Sequence, residues 1–330
     1  MPFSSGRARC SIALRFARAG AQVWIIGRNE TKAADVLAQL KQASADFAAK
    51  EGKESVGAAP QHEFFKADLS DAAEVDRVTA EISKRAGEQG VDYLVETQGG
   101  PPTGSFKPHG STEFAFSVQC LSRFRVAERL LDAGTLKRGL LIVAVPGMGG
   151  KTLDVDDIDF RKTYDAGRWW GPPIGLARMG MRDSAVLDCI SQVSISSDRI
   201  SSLLLALLIL TLPSPSPSLQ SFAEKHPSLN VVHVQPGLIA TEAVANVGFP
   251  WPIPTLARIF APLVAKRPND YAELPFYLLA NAEAKTHLRG GEANCFGPAL
   301  GRYTISGAAQ NAATREQLWS RLAGFFPSRS

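Results

Sequence analysis

The turn Gly27-Arg28-Asn29 is where residue type and position point most directly to chemistry. It closes the apolar run Val23 to Ile26, and the carboxyl end of such a strand is where open parallel sheets hold nucleotides. A solvated turn arginine is the plainer reading of Arg28. Elsewhere the chemistry-bearing residues form no comparable pattern. The five histidines and four cysteines (Cys10, Cys120, Cys189, Cys295) are scattered, with neither metal-ligand spacing nor a disulfide framework.

The elements that must position this turn are legible on either side of it. Ile12, Ala13, Phe16 and Ala17 recur at helical spacing, Arg15 and Arg18 sit at the wet positions between them, and Gly20 is the expected C-terminal stop. Val23 to Ile26 then runs apolar without alternation, which suits a central parallel strand covered by helices on both faces. With 330 residues, 45% of them hydrophobic, the chain has ample material for the core of one large α/β domain. Its net charge of +4 is spread without a basic block, so nucleic acid is not implied. The N-terminus carries no apolar signal region, and a reducing cytoplasmic setting is the expectation.

With this helix, stop and strand, the chain resembles the short-chain dehydrogenase/reductase family at its first helix and second strand. The resemblance implies a single, doubly wound, Rossmann-like parallel α/β domain, a nicotinamide cofactor, and oxidation or reduction of an alcohol/carbonyl pair in a small-molecule substrate. In that family an acidic residue after the second strand favours NAD through the adenosine ribose. Here Arg28, followed by Asn29, holds that neighbourhood, and a cation there pairs with a 2′-phosphate. NADP is therefore the expected cofactor, with NAD the alternative.

Residues 1 to 10 depart from the family pattern. They leave no room for its first strand and keep only Gly6 of the glycine-rich loop, while Ser4, Arg7 and Arg9 stand where glycines belong. In the family's sheet order that strand lies in the middle, so its absence leaves two neighbours without a ladder partner. A truncated or misassigned start is the expectation; the alternative is another apolar segment filling the gap.

Further along, residues 31 to 50 read as a helix, His62 to Ala67 as the third strand, and Asp68-Leu69 as its closing turn. Asp68 matches the family position that hydrogen-bonds adenine, and it also suits an N-cap for a helix over Ala72 to Arg85. Val91 to Gly100 is the fourth strand and turn, in the place of the family's Asn-Asn-Ala-Gly; only Gly99 of that signature survives, and Thr97 and Gln98 are expected to offer backbone groups to the ribose. A helix over Thr112 to Leu131 places Gln119 at the position of the family's catalytic asparagine. After a fifth strand, Leu140 to Val145, the catalytic serine is replaced by Pro146-Gly147-Met148-Gly149-Gly150. Backbone N–H groups of those glycines are substitute donors, or the glycines serve packing alone.

Family chemistry also needs Tyr-x-x-x-Lys on the next helix: the tyrosine exchanges a proton with the substrate oxygen, and the lysine lowers its pKa. Alignment puts Met179 and Asp183 there, and neither does that work. Tyr164 and Arg168 keep the four-residue step with arginine for lysine and form the replacement candidate. Trp169 and Trp170 are candidate walls of an apolar pocket, or ordinary packing. Val231 to Thr241 reads as the sixth strand and the nicotinamide-side loop, with Pro236, Gly237 and Thr241.

An insert at 193–220 interrupts the helix after Gln192; deleting it places Phe222 four residues after Ile190, on one apolar face with Val186. Its valine start, pyrimidine-rich Leu/Ser/Pro codons and glutamine end resemble a translated intron. The run Leu203 to Leu212 falls short of the about 20 apolar residues a bilayer needs, so no stable membrane span is expected. The region 246–265, with Phe249, Pro250, Trp251 and Pro252, resembles a substrate lid. Helices over Tyr271 to Ala280 and Glu316 to Phe326 flank a last strand.

The leading expectation is an NADP-dependent oxidoreductase of this type, acting on an unidentified apolar alcohol or carbonyl. The alternatives are a catalytically inactive dinucleotide- or partner-binding homologue that has lost the Ser/Tyr/Lys set, and the non-functional product of a faulty gene model. Family habit implies a homodimer or homotetramer.

Overall fold

Helix α1, Gly6–Ala17, ends where Gly20 takes φ +80°, a left-handed conformation that glycine adopts without steric cost. Strand β1, Trp24–Gly27, follows. The computed structural model describes residues 6–51, 60–99, 104–144, 148–169, 171–191, 229–235, 237, 239, 266–288 and 294–326. The insert 193–220, the lid region 246–265, Pro146, Gly147, Trp170, Phe222, Pro236 and Thr241 lie outside the described residues.

β1 pairs in parallel with β2, Glu63–Lys66, setting Trp24 opposite Glu63 and Gly27 opposite Lys66. A second sheet contains β3 (Val91–Glu96), β4 (Leu136–Val143), β5 (Asn230–Val234) and β6 (Asn294–Phe296), all parallel and in that order. Among the described residues no ladder joins β1 to β3. The break falls where the absent first strand was expected to leave two neighbours unpartnered. It also corrects one expectation: all four residues of β1 are only partly buried, because a strand with one open edge is not enclosed as a central strand is.

Alternation along β4 sorts the core into two layers. Leu141, with Val232, Val234 and Phe296, packs against Ile12 of α1 and against Tyr271, Leu278 and Leu279 of α6, Pro268–Ala280. Leu140, Ile142 and Val231 face the other way. There they meet Val75, Val78 and Ile82 of α3 (Ala72–Ala86), Phe124 and Leu130 of α4 (Ser122–Asp132), Val186 and Ile190 of α5 (Pro172–Ser191), and Leu318 of α7 (Ala312–Ala323). Helix α2, Glu30–Lys50, joins α1 through Leu40, Ala43 and Ala17. Helices thus cover both faces of a parallel sheet, the doubly wound arrangement.

Several boundaries move for local reasons. Asp71, not Asp68, caps α3, its side chain accepting a hydrogen bond from Ala73 N. The helix expected from Thr112 begins at Phe114, because Glu113 turns its carboxylate onto Ala115 N and Phe116 N; a π-helical turn at Ser117–Leu121 then leads into α4. β4 starts at Leu136, and α6 starts at Pro268, a first-turn position where the missing N–H costs nothing. No helix among the described residues is long and apolar enough to cross a membrane.

Candidate active site

The tips of β1 and β2 form a shallow cleft of about 630 Å³ lined by Arg28, Phe64, Lys66, Asp68, Glu74 and Arg77. Asn29 serves as the N-cap of α2, its Oδ1 accepting from Lys32 N at 2.8 Å, so Arg28 stands between a strand end and a helix cap. The Arg28 side chain is 64% exposed, and its Nη1 lies 3.4 Å from Asp68 Oδ2. Asp68 is itself anchored, Oδ1 accepting from Ser70 N at 2.9 Å and Ser70 Oγ at 2.7 Å. Burial works against its ionisation, but Ser70 and Arg28 outweigh burial and hold the carboxyl below its usual range. An exposed pair at this distance holds Arg28 by no more than about 1 kcal/mol, leaving the guanidinium available to a phosphate. Leu69 instead packs against the core.

At the tip of β3 the structure brings Gly99 and Gln119 together. Gly99 takes φ +98°, and a Cβ there would stand 2.6 Å from Gln119 Cγ. Gln119 lies within the π-helical turn, a local widening frequent at functional sites. Gln98 Nε2 donates to Ser122 Oγ at 3.3 Å, and its carbonyl accepts from Arg123 Nη2 at 2.5 Å. The same Nη2 donates to Val143 O at 3.1 Å, tying the tips of β3 and β4. Thr97 is partly buried beside them. Glu96, which the sequence reading passed over, is 2% exposed, and burial pushes its carboxyl up to about 8 against the pull of Arg123.

The two residues that the sequence set against the family tyrosine and lysine are enclosed. Met179 is fully buried. Asp183 Oδ1 accepts from Arg182 Nε at 2.8 Å and Nη2 at 2.6 Å, and lies 3.6 Å from Cys120 Sγ. Arg182 Nη2 is also 3.6 Å from Glu113 Oε2, and its guanidinium lies over the rings of Phe116 and Phe160. Burial raises the Glu113 carboxyl, with Arg182 opposing, and lifts the Cys120 thiol well above its ordinary value. A cation does stand next to the lysine position, then, but one residue earlier and neutralised by buried carboxylates.

Of the glycine loop after β4, Met148, Gly149 and Gly150 are among the described residues. Met148 N is occupied, donating to Ser184 Oγ at 2.9 Å. At Gly149 a Cβ would lie 2.6 Å from the Cβ atoms of both Ala185 and Ser306, so this glycine is required by packing.

Tyr164 lies on a short helix, Arg161–Asp165, that ends before Gly167 at φ +67°. The step to the exposed Arg168 is therefore not a helical turn, and the pair lacks the shared helix face that the spacing suggested. The Tyr164 ring stacks on Phe106 at 4.1 Å and is 38% exposed. Trp169 meets Phe106 edge-on at 5.6 Å and donates from Nε1 to Gly104 O at 3.2 Å. Gly6 opens α1, and Gly237, φ +66°, lies against Pro298.

Three residues read as scattered come together away from these tips. His233 of β5 pairs in register with Cys295 of β6, and Asp188 of α5 brings Oδ1 to 3.3 Å from His233 Nδ1. The signal available in the sequence was a histidine in the middle of the apolar strand Val231 to Val234.

No protein-family model and no curated protein matches the chain. Solved structures do. An uncharacterised protein from Mycobacterium paratuberculosis superposes with a TM-score of 0.57 at 16% identity, over 97% of this chain and 90% of that one. An actinorhodin polyketide ketoreductase variant solved with NADPH gives a TM-score of 0.53 at 17% identity, over 91% and 96% of the two chains. A dehydrogenase from Burkholderia cenocepacia with bound NADP gives 0.51 at 14% identity, over 88% and 89%. The fold is that of the short-chain dehydrogenase/reductases, a Rossmann-type α/β fold, carried here by a highly divergent sequence.

Proposed function

We propose that this protein is an oxidoreductase of the short-chain dehydrogenase/reductase type that takes NADP at the tips of β1 and β2 and acts on an unidentified apolar alcohol or carbonyl. The observation that carries the reading is the lightly held Arg28 guanidinium beside Asp68 in the cleft at the carboxyl end of β1 and β2. Two solved structures of the same fold, bound to NADPH and NADP, support a nicotinamide dinucleotide. The cofactor, when bound, supplies or takes up a hydride. Arg28 pairs with the 2′-phosphate, Asp68 accepts from adenine, and the backbone of Thr97, Gln98 and Gly99 holds the ribose. Gln119 orients the substrate oxygen through its amide, and the exposed Tyr164 hydroxyl, with Arg168 near it in the chain, exchanges the proton. Aromatic neighbours Phe106 and Trp169 give that side an apolar wall.

Fluorescence titration of the full chain with NADPH and NADH, followed by NADPH consumption over a broad carbonyl panel, tests the reading. Saturable NADPH binding with turnover of at least one carbonyl is expected. Binding without any turnover would replace it with the catalytically inactive homologue, and no binding would remove both.

A further inference from the structure

We propose that Asp188, His233 and Cys295 form a structural site for a zinc-class divalent cation. The parallel register sets His233 opposite Cys295 on neighbouring strands, which lie about 4.8 Å apart. Val232 and Val234 enter the core beneath α6, so alternation turns His233 to the opposite face, toward α5 and Asp188. One ligand atom from each of the three residues lies within 4.8 Å of the others. All three side chains are in the interior, at 0%, 0% and 3% exposure.

An imidazole nitrogen, a carboxylate oxygen and a sulfur supply three of the four donors a tetrahedral zinc takes, the fourth falling to a water. Tetrahedral bonds of about 2.0–2.3 Å place ligand atoms about 3.3–3.8 Å apart. The 3.3 Å between His233 Nδ1 and Asp188 Oδ1 already has that spacing, and the sulfur closes the remainder by a rotamer-scale shift. Ser306 N donates to Asp188 Oδ2 at 2.9 Å, which orients the carboxylate as outer-shell partners do and directs Oδ1 to the histidine.

A second observation points to a ligand. Among the described residues, neither ring nitrogen of the fully buried His233 makes a hydrogen bond. An imidazolium–carboxylate pair would account for Nδ1 but give the sulfur no role, whereas a cation on Nδ1 takes the imidazole, the carboxylate and the thiolate together. With no exposed ligand, the site loads as the chain folds, and binding displaces the thiol proton to solvent.

The test is to refold the full chain with EDTA, with Co²⁺ or with Zn²⁺, then desalt. Equimolar retained cobalt and a near-ultraviolet thiolate-to-cobalt band are expected, with loss of the band when zinc is added during refolding. Cys295→Ser should lose the band while keeping the far-ultraviolet circular dichroism of the parent. His233→Gln should retain at least tenfold less metal. Folding in EDTA with no metal retained in the other arms would overturn the proposal, as would a band that survives Cys295→Ser. A chain that gains no secondary structure with either ion would overturn it too, since a structural ion must favour the folded state.

Discussion

Arg182 and Asp183, neighbours in sequence, form a buried ion pair at 2.6 Å, with side-chain exposures of 2% and 8%. Removing one partner leaves the other charge uncompensated in the interior, which costs about 3–5 kcal/mol. Asp183→Asn should therefore lower the unfolding free energy by that amount, read as a lower urea midpoint at an unchanged denaturant slope. Met179→Tyr combined with Asp183→Lys should not raise turnover above the parent's, because it sets a second cation beside Arg182; NADPH consumption checks this.

Arg28→Glu should weaken NADPH binding at least tenfold and narrow its margin over NADH, since the 2′-phosphate then meets a carboxylate. Its exposed partnership with Asp68 predicts a stability change under about 1 kcal/mol, separating the cofactor effect from damage to the fold. Parallel fluorescence titrations and thermal melts give the two readings.

Asp76 is held at about 2: burial opposes ionisation, and hydrogen bonds from Arg129 and Arg125 outweigh it. A depressed folded-state pKa contributes stability that is fully present above the unfolded value of about 3.9 and is lost as pH falls through 2. After allowance for solvent screening the contribution is about 1 kcal/mol. Asp76→Asn should melt lower than the parent at pH 7, with the difference shrinking below pH 4.

Glu96 has the opposite sign. Its carboxyl stands at about 8 in the folded chain, so the native state binds a proton that the unfolded state releases near pH 4. Stability falls as pH rises through that window. Glu96→Gln should raise the melting temperature, by a gain that grows from pH 5 to pH 8 and then levels off; a pH-independent change would contradict the burial-driven shift.

The run from Ile12 to Gly27 determined its own local structure, because helical spacing, a left-handed glycine stop and an unbroken apolar strand are all properties of neighbouring residues. Among the described residues no ladder joins β1 to β3, in line with the expectation that the family's first strand is missing between them. The cleft-lining pair was legible too, since Arg28 directly follows β1 and Asp68 comes two residues after β2. Sequence alone could not decide between Asp68 and Asp71 as the cap of α3, two aspartates three residues apart, because that choice depends on where the chain turns. Nor could it reveal that Arg182 meets Glu113, that Asp183 meets Cys120, or that Asp188 and His233 meet Cys295. Those partners lie on separate helices and strands, and parallel pairing leaves no local mark of which residues it will set side by side. What the chain could place by short-range pattern it placed by itself; the buried charges acquired their neighbours only when distant strands entered one sheet and the helices closed over it.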